Sequence, residues 1–448
     1  MFGLPGDPPG PRVLVMTSGN RSGEPIVTDD TEALTRLAGL ADAWLTHDRP
    51  IACLCDDSLL RVRPDGTAQV RGRPAAMSPA RPASRSRSVP PSTTGGDLKN
   101  ALCLGEADQA WFGPHIGDMA DLAALEAAAR AELAPHPASP ESPPAGGRRP
   151  PPRLPLDPPG TRPGRPARPR QAGCWSSTTT PTSPPRWPEH GLDGGTPVIG
   201  VAFDGTGYGD DGTVWGGEIL LADYTGYRRL ASAWPPAPPP GGDAGVANPA
   251  ARPWPGAWAA GLPWAPQLPS RAGLHGNGTR PLAPPALTRQ LACVPTSSMG
   301  RLFDAVSSLV GRNATAPDTR RRRRWSWRRR RGRRGDADAA AYPFGFTADG
   351  REMDPAPALR APPGRPGPPH PRPGPGRPLS TGAFARAVAD ARRRARTETG
   401  RTTVALTGGV FANALLEEET AALLAGAGFT VLRHGEVPRT TAVWRSVS

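Results

Sequence analysis

The chain has 448 residues, of which 54 are glycine and 61 proline, about a quarter of the total, a share that belongs to low-complexity sequence more than to an evenly packed domain. A formal charge of +14 ordinarily points to nucleic acid or an anionic surface. Eleven arginines lie between Arg320 and Arg334, however, and without them the charge falls to +3. Lys99 is the single lysine, which fits GC-rich codon usage better than selection for phosphate contacts and argues against a nucleic-acid partner. Cys53, Cys55, Cys103, Cys174 and Cys293 include no C-x-x-C pair, and their odd number and scatter suit free thiols in a reducing cytosol. No apolar run reaches the length of a membrane span, and the N-terminus lacks a signal-peptide pattern. The expectation is a soluble, cytoplasmic protein with no membrane partner.

Taken in chain order, residues 12–73 are globular in pattern. Val13-Leu14-Val15-Met16 reads as a buried strand. Ala33, Leu34, Leu37, Ala38, Ala41 and Leu45 fall on one face of a helix, with Asp29-x-x-Glu32 before it as a capping box. Residues 74–94 lose all periodicity. Pattern returns from Gly95 to about Leu133, with Asp118 opening an alanine- and leucine-rich helix, and fails again from Pro135 to about Pro188. From Pro197 come a buried strand (Val198 to Phe203), a glycine-rich turn and a second strand (Glu218 to Tyr224), together a β-hairpin signal. Leu291 to Val310 closes in a predicted helix over Met299 to Val306. The last coherent stretch is strand (Thr403 to Leu406), Gly408-Gly409, helix (Asn413 to Leu424) and strand (Phe429 to Leu432). That βαβ order implies a parallel sheet.

Two of these turns can carry chemistry. Asp204 ends a buried strand and precedes Gly205-Thr206-Gly207-Tyr208-Gly209, where backbone amides can approach a phosphate while the carboxylate holds a metal or orients water. An ordinary glycine-rich hairpin has the same spacing. Gly408-Gly409 places helix N-terminal amides where an anion could bind, although a tight strand-to-helix turn needs the same two glycines. Two such turns on two strand systems suggest the two-lobed nucleotide clamp of the actin/sugar-kinase architecture.

The quoted turns, together with Val15-Met16-Thr17-Ser18-Gly19-Asn20, Ser22-Gly23-Glu24-Pro25, Gly96-Asp97-Leu98-Lys99-Asn100, His115-Ile116-Gly117-Asp118, Ser297 to Asp304 and Gly408 to Asn413, resemble the HypF family of hydrogenase-maturation carbamoyltransferases. The resemblance implies an α/β fold. It reads as a remnant of a YrdC-like carbamoyl-adenylate domain (residues 1–75), a linker or out-of-frame segment (76–94), and a two-lobed kinase-like carbamoyltransferase domain (95–448). It implies that an acylphosphatase domain, the C-x-x-C zinc motifs and the front of the YrdC-like domain are missing. It further implies ATP-dependent transfer of a carbamoyl group from carbamoyl phosphate, through carbamoyl adenylate, to the C-terminal cysteine of a HypE-like acceptor. Ser18 and Asn20 then match a nucleotide-contacting Ser-x-Asn, which read blandly is a capped turn. Gly205, Thr206, Gly207, Gly408, Gly409 and Asn413 become nucleotide or phosphate residues, and Asp204 a ligand for a divalent metal, zinc in the intact family site. The family's histidine pair and its Asn-Asp-Gly-Gly aspartate are not present as written, and no acid–base residue is identified.

The missing motifs reappear when the anomalous blocks are reread in another frame. Trp175 to Ser183 has synonymous codons that, started at each third nucleotide, give Val-Gln-His-His-His-Ala-His-Ile. Arg149 to Pro158, started at each second nucleotide, gives Asp-Leu-His-Pro-Gly-Tyr-Leu-Ser-Thr. Thr319 to Arg328 turns from a basic tract into Glu-Ala-Gln-Ala-Ala-Val-Glu-Leu-Glu, and Arg439 to Ser446 yields Asp-Asp-Gly-Gly. Residues 74–94 give no comparable reading. The expectation is therefore a HypF-type chain with residues 136–188, 312–340 and 439–448 out of frame, poorly folding and inactive as written. Two alternatives set against it are an Arg-rich nucleic-acid-binding protein, with Trp325 and Trp327 for stacking, and a kinase-like ATPase with disordered inserts.

Overall fold

The computed structural model describes Gly6, Gly10 and residues 13–21, 26–49, 51, 59–72, 92–94, 100–106, 109–117, 190–192, 195–223, 226–233, 294–303, 344–357 and 381–435. The three segments expected to be out of frame (136–188, 312–340 and 439–448) lie outside the described residues, as does the helix expected from Asp118.

In the first segment, α1 (Asp30–Arg36) starts where the capping residue predicts, with Asp29 Oδ1 accepting the Glu32 amide at 2.8 Å. The Glu32 carboxylate pairs forward with Arg36, so only half of the capping box forms. The helix stops far short of Leu45. Gly39 takes φ 78° in a turn closed by a bridge between Ala38 and Ala41, and no residue of α1 is buried. Val13 to Met16 is not a buried strand: it lies outside any strand, with Val15 91% and Met16 83% exposed. An apolar run is buried only where neighbouring strands take its ladder bonds and cover it. The described strands of this segment, β1 (Leu59–Val62) and β2 (Ala68–Gly72), pair with each other instead. Three antiparallel strands follow: β3 (Ser92–Thr94), at the end of the stretch read as a linker, β4 (Asn100–Glu106) and β5 (Gln109–Gly117).

The main core is built on a five-stranded mixed sheet. β6 (Val198–Tyr208), β7 (Val214–Ala222) and β8 (Tyr227–Ser232) form an antiparallel meander. β11 (Thr403–Thr407) lies parallel to β6 on its other side and β12 (Thr430–Leu432) parallel to β11, giving the order β12-β11-β6-β7-β8. The short pair β9 (Gly345–Phe346) and β10 (Met353–Asp354) stands apart as a two-stranded sheet, bridged to β8 at Ser232 and Glu352. The alternation of β6 explains its central place: Ile199, Val201 and Phe203 enter one core with Ile219, Val404 and Leu406, while Ala202 packs on the other face with Trp215 and Leu220. Two helices cover the first face, α2 (Thr381–Thr399) through Phe384, Ala385 and Val388, and α3 (Ala414–Gly426) through Leu416 and Leu424. Phe203 stacks on Phe411 with ring centroids 5.4 Å apart. Each fully buried side chain of this size contributes roughly 1.5–3 kcal/mol.

The β1–β2 hairpin docks at the β12 side of this sheet, beside the carboxyl ends of β11 and β12. Val70 N–H donates to the Gly435 carbonyl at 2.7 Å. Gln69 Nε2, at 3.0 Å, and Arg63 both donate to the His434 carbonyl. The His434 ring in turn lies 3.2 Å from Thr407 Oγ1, at the end of β11. Arg61 pairs with Glu418 at 2.5 Å, and Arg63 and Arg433 both approach Glu417, which is 1% exposed. Burial pulls the Arg63 guanidinium below its ordinary pKa, against the attraction of Glu417.

Candidate phosphate-binding site

The ladder between β6 and β7 breaks once. Phe203 is opposite Gly217, and the next pair is Gly207 with Trp215. Three residues of β6, Asp204, Gly205 and Thr206, therefore stand against the single Gly216, an enlarged bulge that lifts their backbone out of the sheet. Thr206 is exposed, whereas Asp204, Gly205 and Gly207 are buried.

Groups that lose ladder partners in the protein interior need others, and here side chains supply them. Ser298 Oγ lies 2.7 Å from the Asp204 carbonyl and 2.9 Å from that of Gly205, to which Arg301 Nε also donates at 3.1 Å. Asp204 Oδ1 accepts the Gly205 amide at 2.8 Å. Across the bulge, the amides of Gly216 and Gly217 donate to Glu218 Oε2 at 2.6 and 2.8 Å. Glu218 Oε1 accepts from Ser297 Oγ and, at 3.1 Å, from Arg229 Nη2. The Arg229 guanidinium sits 4.5 Å from the centre of the Trp215 ring and 3.2 Å from Asp211. Burial pushes the Glu218 carboxyl up to about 7, although Ser297, Arg229 and the two glycine amides pull the other way. Burial also acts to raise Asp211, but the Thr213 hydroxyl and amide, the Trp215 indole and Arg229 outweigh it and hold that carboxyl below its ordinary value.

Close backbone approach fixes the glycines. A Cβ on Gly216, whose φ is 152°, would lie 2.6 Å from the Asp204 carbonyl oxygen, and one on Gly300 would lie 2.6 Å from Gly205 Cα. Gly408, at φ 93°, would drive a Cβ into the Phe203 carbonyl. Only glycine meets both demands at 216 and 408. Because Thr407 is in register with Ala202 across the parallel β6–β11 pair, the Gly408-Gly409 turn lies beside the Asp204–Thr206 excursion. Both lie just beyond the carboxyl end of the parallel-paired stretch of β6 and β11, where open α/β sheets receive ligands.

The structure thus brings Asp204, Gly205, Thr206 and Gly207 together with Gly408 and Gly409. Gly409 opens a 3-10 turn (Gly409–Ala412), and Asn413 caps α3, its Oδ1 accepting the Leu415 amide at 3.2 Å. Ser18 and Asn20 form a local turn in another segment, with Ser18 Oγ 2.6 Å from Asn20 Oδ1 and Asn20 Nδ2 donating to the Arg21 carbonyl. Sequence reasoning passed over Glu218, Arg229, Ser298 and Arg301. The available signal was a carboxylate set between the pair Gly216-Gly217 and the apolar run Ile219-Leu220-Leu221. No cluster of three His, Cys, Asp or Glu side chains occurs among the described residues. The groups gathered at Asp204 are hydroxyl, amide and guanidinium, which do not compose a zinc ligand set.

Three family models match the chain. "Carbamoyltransferase, Kae1-like Domain, second subdomain" covers residues 200–316 and 378–440, "HypF Kae1-like domain" covers 91–133, and the Sua5/YciO/YrdC model, described as "Telomere recombination", covers 5–72. Carbamoyltransferase HypF2 of Cupriavidus necator is 33% identical over 330 residues, 68% of this chain and 37% of the relative. Carbamoyltransferase HypF of Rhodobacter capsulatus is 36% identical over 327 residues, 67% of this chain and 40% of the relative. The chain thus spans well under half the length of either. Among solved structures, full-length HypF in a phosphate- and nucleotide-bound form superposes with a TM-score of 0.67 at 24% identity, over 94% of this chain and 64% of that one. HypF of T. kodakarensis gives 0.63 at 22% identity, over 95% and 55%. At these identities the two structures speak for the fold alone. The matched domain models and the curated relatives place the chain in the HypF family of carbamoyltransferases.

Proposed function

We propose that this chain derives from a hydrogenase-maturation carbamoyltransferase that uses ATP and carbamoyl phosphate to make carbamoyl adenylate and passes the carbamoyl group to the C-terminal cysteine of a HypE-like acceptor. Residues 1–75 belong to the adenylate-forming half, with Ser18 and Asn20 toward the nucleotide. Residues 95–448 belong to the transferring half. The observation that carries the reading is the three-residue excursion at Asp204–Thr206 beside the Gly408-Gly409 turn. It leaves a glycine-rich backbone just beyond the carboxyl end of the parallel-paired stretch of β6 and β11, suited to a phosphate group.

In the transfer step the acceptor thiolate attacks the carbamoyl carbon, the bond from that carbon to the phosphate oxygen breaks, and AMP leaves with the electron pair. The thiol proton has gone to solvent before attack. Gly205, Thr206 and Gly207 on one side and Gly408, Gly409 and Asn413 on the other hold the adenylate phosphate, so the leaving group is bound where its charge develops.

The test compares this chain with a version in which residues 136–188, 312–340 and 439–448 are reread in the restored frames. Each receives preformed carbamoyl adenylate and a HypE acceptor, and the mass of the acceptor's C-terminal cysteine is followed. The corrected chain is expected to carbamoylate and the written one to fail. No modification by the corrected chain, with Gly205→Val and Gly408→Val binding nucleotide as well as their parent, would overturn both the reaction and the placement of the phosphate.

A further inference from the structure

Glu218 has no place in the reading above, yet it is wholly buried, and three of the hydrogen bonds its carboxylate accepts, from Gly216, Gly217 and Ser297, reach residues that border the excursion. Its Oε2 takes the amides of Gly216, which faces the break in the ladder, and of Gly217 beside it, the partner of Phe203. Its Oε1 takes Ser297 Oγ, and the next residue, Ser298, reaches the carbonyls of Asp204 and Gly205. Gly217 lies so close to the Ser297 carbonyl that a side chain there would collide with it. One carboxylate therefore joins the strand opposite the bulge to the turn that grips the bulge. Arg229, stacked on Trp215, supplies the counter-charge, so the buried group is both paired and hydrogen-bonded, as burial of a charge requires.

We propose that Glu218 is the positioning residue of the phosphate loop: through the Gly216 and Gly217 amides and through Ser297-Ser298 it holds Asp204–Thr206 out of the β6–β7 ladder in the shape that receives a phosphate. The role rests on the phosphate-binding reading for its purpose, but not for its geometry. An apolar residue at 218 leaves two buried amides without an acceptor. A glutamine presents N–H groups where two donors now point, so it cannot serve both the glycine amides and the pair Ser297 and Arg229.

The experiment uses the full chain at pH 8, free of nucleotide and then with ATP, as parent, Glu218→Gln, Ser297→Ala and the surface control Glu398→Gln, whose carboxylate pairs with exposed Arg228. Hydrogen exchange is expected to accelerate at residues 203–209 in both site variants while residues 403–407 and 414–424 keep their protection. ATP affinity should fall about tenfold or more, a change of about 1.4 kcal/mol, and the control should match the parent in both. Unchanged exchange at 203–209 in both site variants overturns the proposal. Should Glu218→Gln lose protection throughout, Ser297→Ala decides, because it keeps the carboxylate and its glycine amides. If exchange accelerates locally but the parent itself binds no ATP, the positioning role stands and the phosphate-binding reading falls.

Discussion

Glu218 shows how one side chain can set the acid–base behaviour of the core. Its carboxyl titrates near 4.5 when exposed and at about 7 in the fold, chiefly because burial penalises the charge. For an acid whose folded value is raised, the stabilisation is fully present below the unfolded value and is lost as pH climbs through the folded one. The window is therefore pH 4.5 to 7, and the loss across it is on the order of 3 kcal/mol. Urea titrations at pH 5 and pH 8 should show the parent less stable at the higher pH, with that difference reduced in Glu218→Gln. An equal difference in the two proteins would mean that another group sets the slope. The sequence displayed the glycines around this residue, because Gly205, Gly207 and Gly408 sit at turn positions any reader would mark. The carboxylate's task was hidden: it exists only because three residues of β6 oppose one of β7, and no periodicity announces a bulge.

At the scale of elements, what could be read locally was read well. The helix expected over Asn413 to Leu424 is α3, Ala414–Gly426, and the parallel strand after it is β12. A capping asparagine and a glycine pair mark that start within a few residues. The failure at Val13 to Met16 has the opposite cause, since burial of a strand depends on partners elsewhere in the chain. Asn413 stands between the two cases, because a cap and a phosphate contact ask for the same residue type. Asn413→Ala is expected to lower stability by roughly 1 kcal/mol, the usual worth of such a cap, and to weaken ATP binding if the side chain also faces the phosphate. Thermal melts and ATP titrations on the same variant separate the two roles.

For the whole molecule, the main core assembles from pieces far apart in the chain: β6 to β8, residues 296–303, helical from Met299 as expected, and α2 through β12. Each piece retains its own apolar pattern, which is why the family could be recognised from scattered motifs. The metal site proposed for the family at Asp204 has no such redundancy. Asp204 keeps its position, but the histidines that would join it appear only in a shifted frame. After dialysis the written chain is expected to retain little divalent metal, and the frame-corrected chain to retain it in an Asp204-dependent manner, with Asp204→Ala as the control. Equal metal content in the written and corrected chains would overturn the assignment of a metal site to Asp204 and the restored histidines.

The docking of β1–β2 on residues 434–435 has a kinetic consequence. Gln69 and His434, joined by a hydrogen bond, are 365 residues apart in the chain. Closing such a loop costs only about 0.6 kcal/mol more for each doubling of its length, but that entropy is lost before any contact rewards it. The hairpin is therefore expected to join an already formed sheet late in folding and to leave it early in unfolding, so hydrogen exchange should be faster at residues 59–72 than at 198–203 and 403–407.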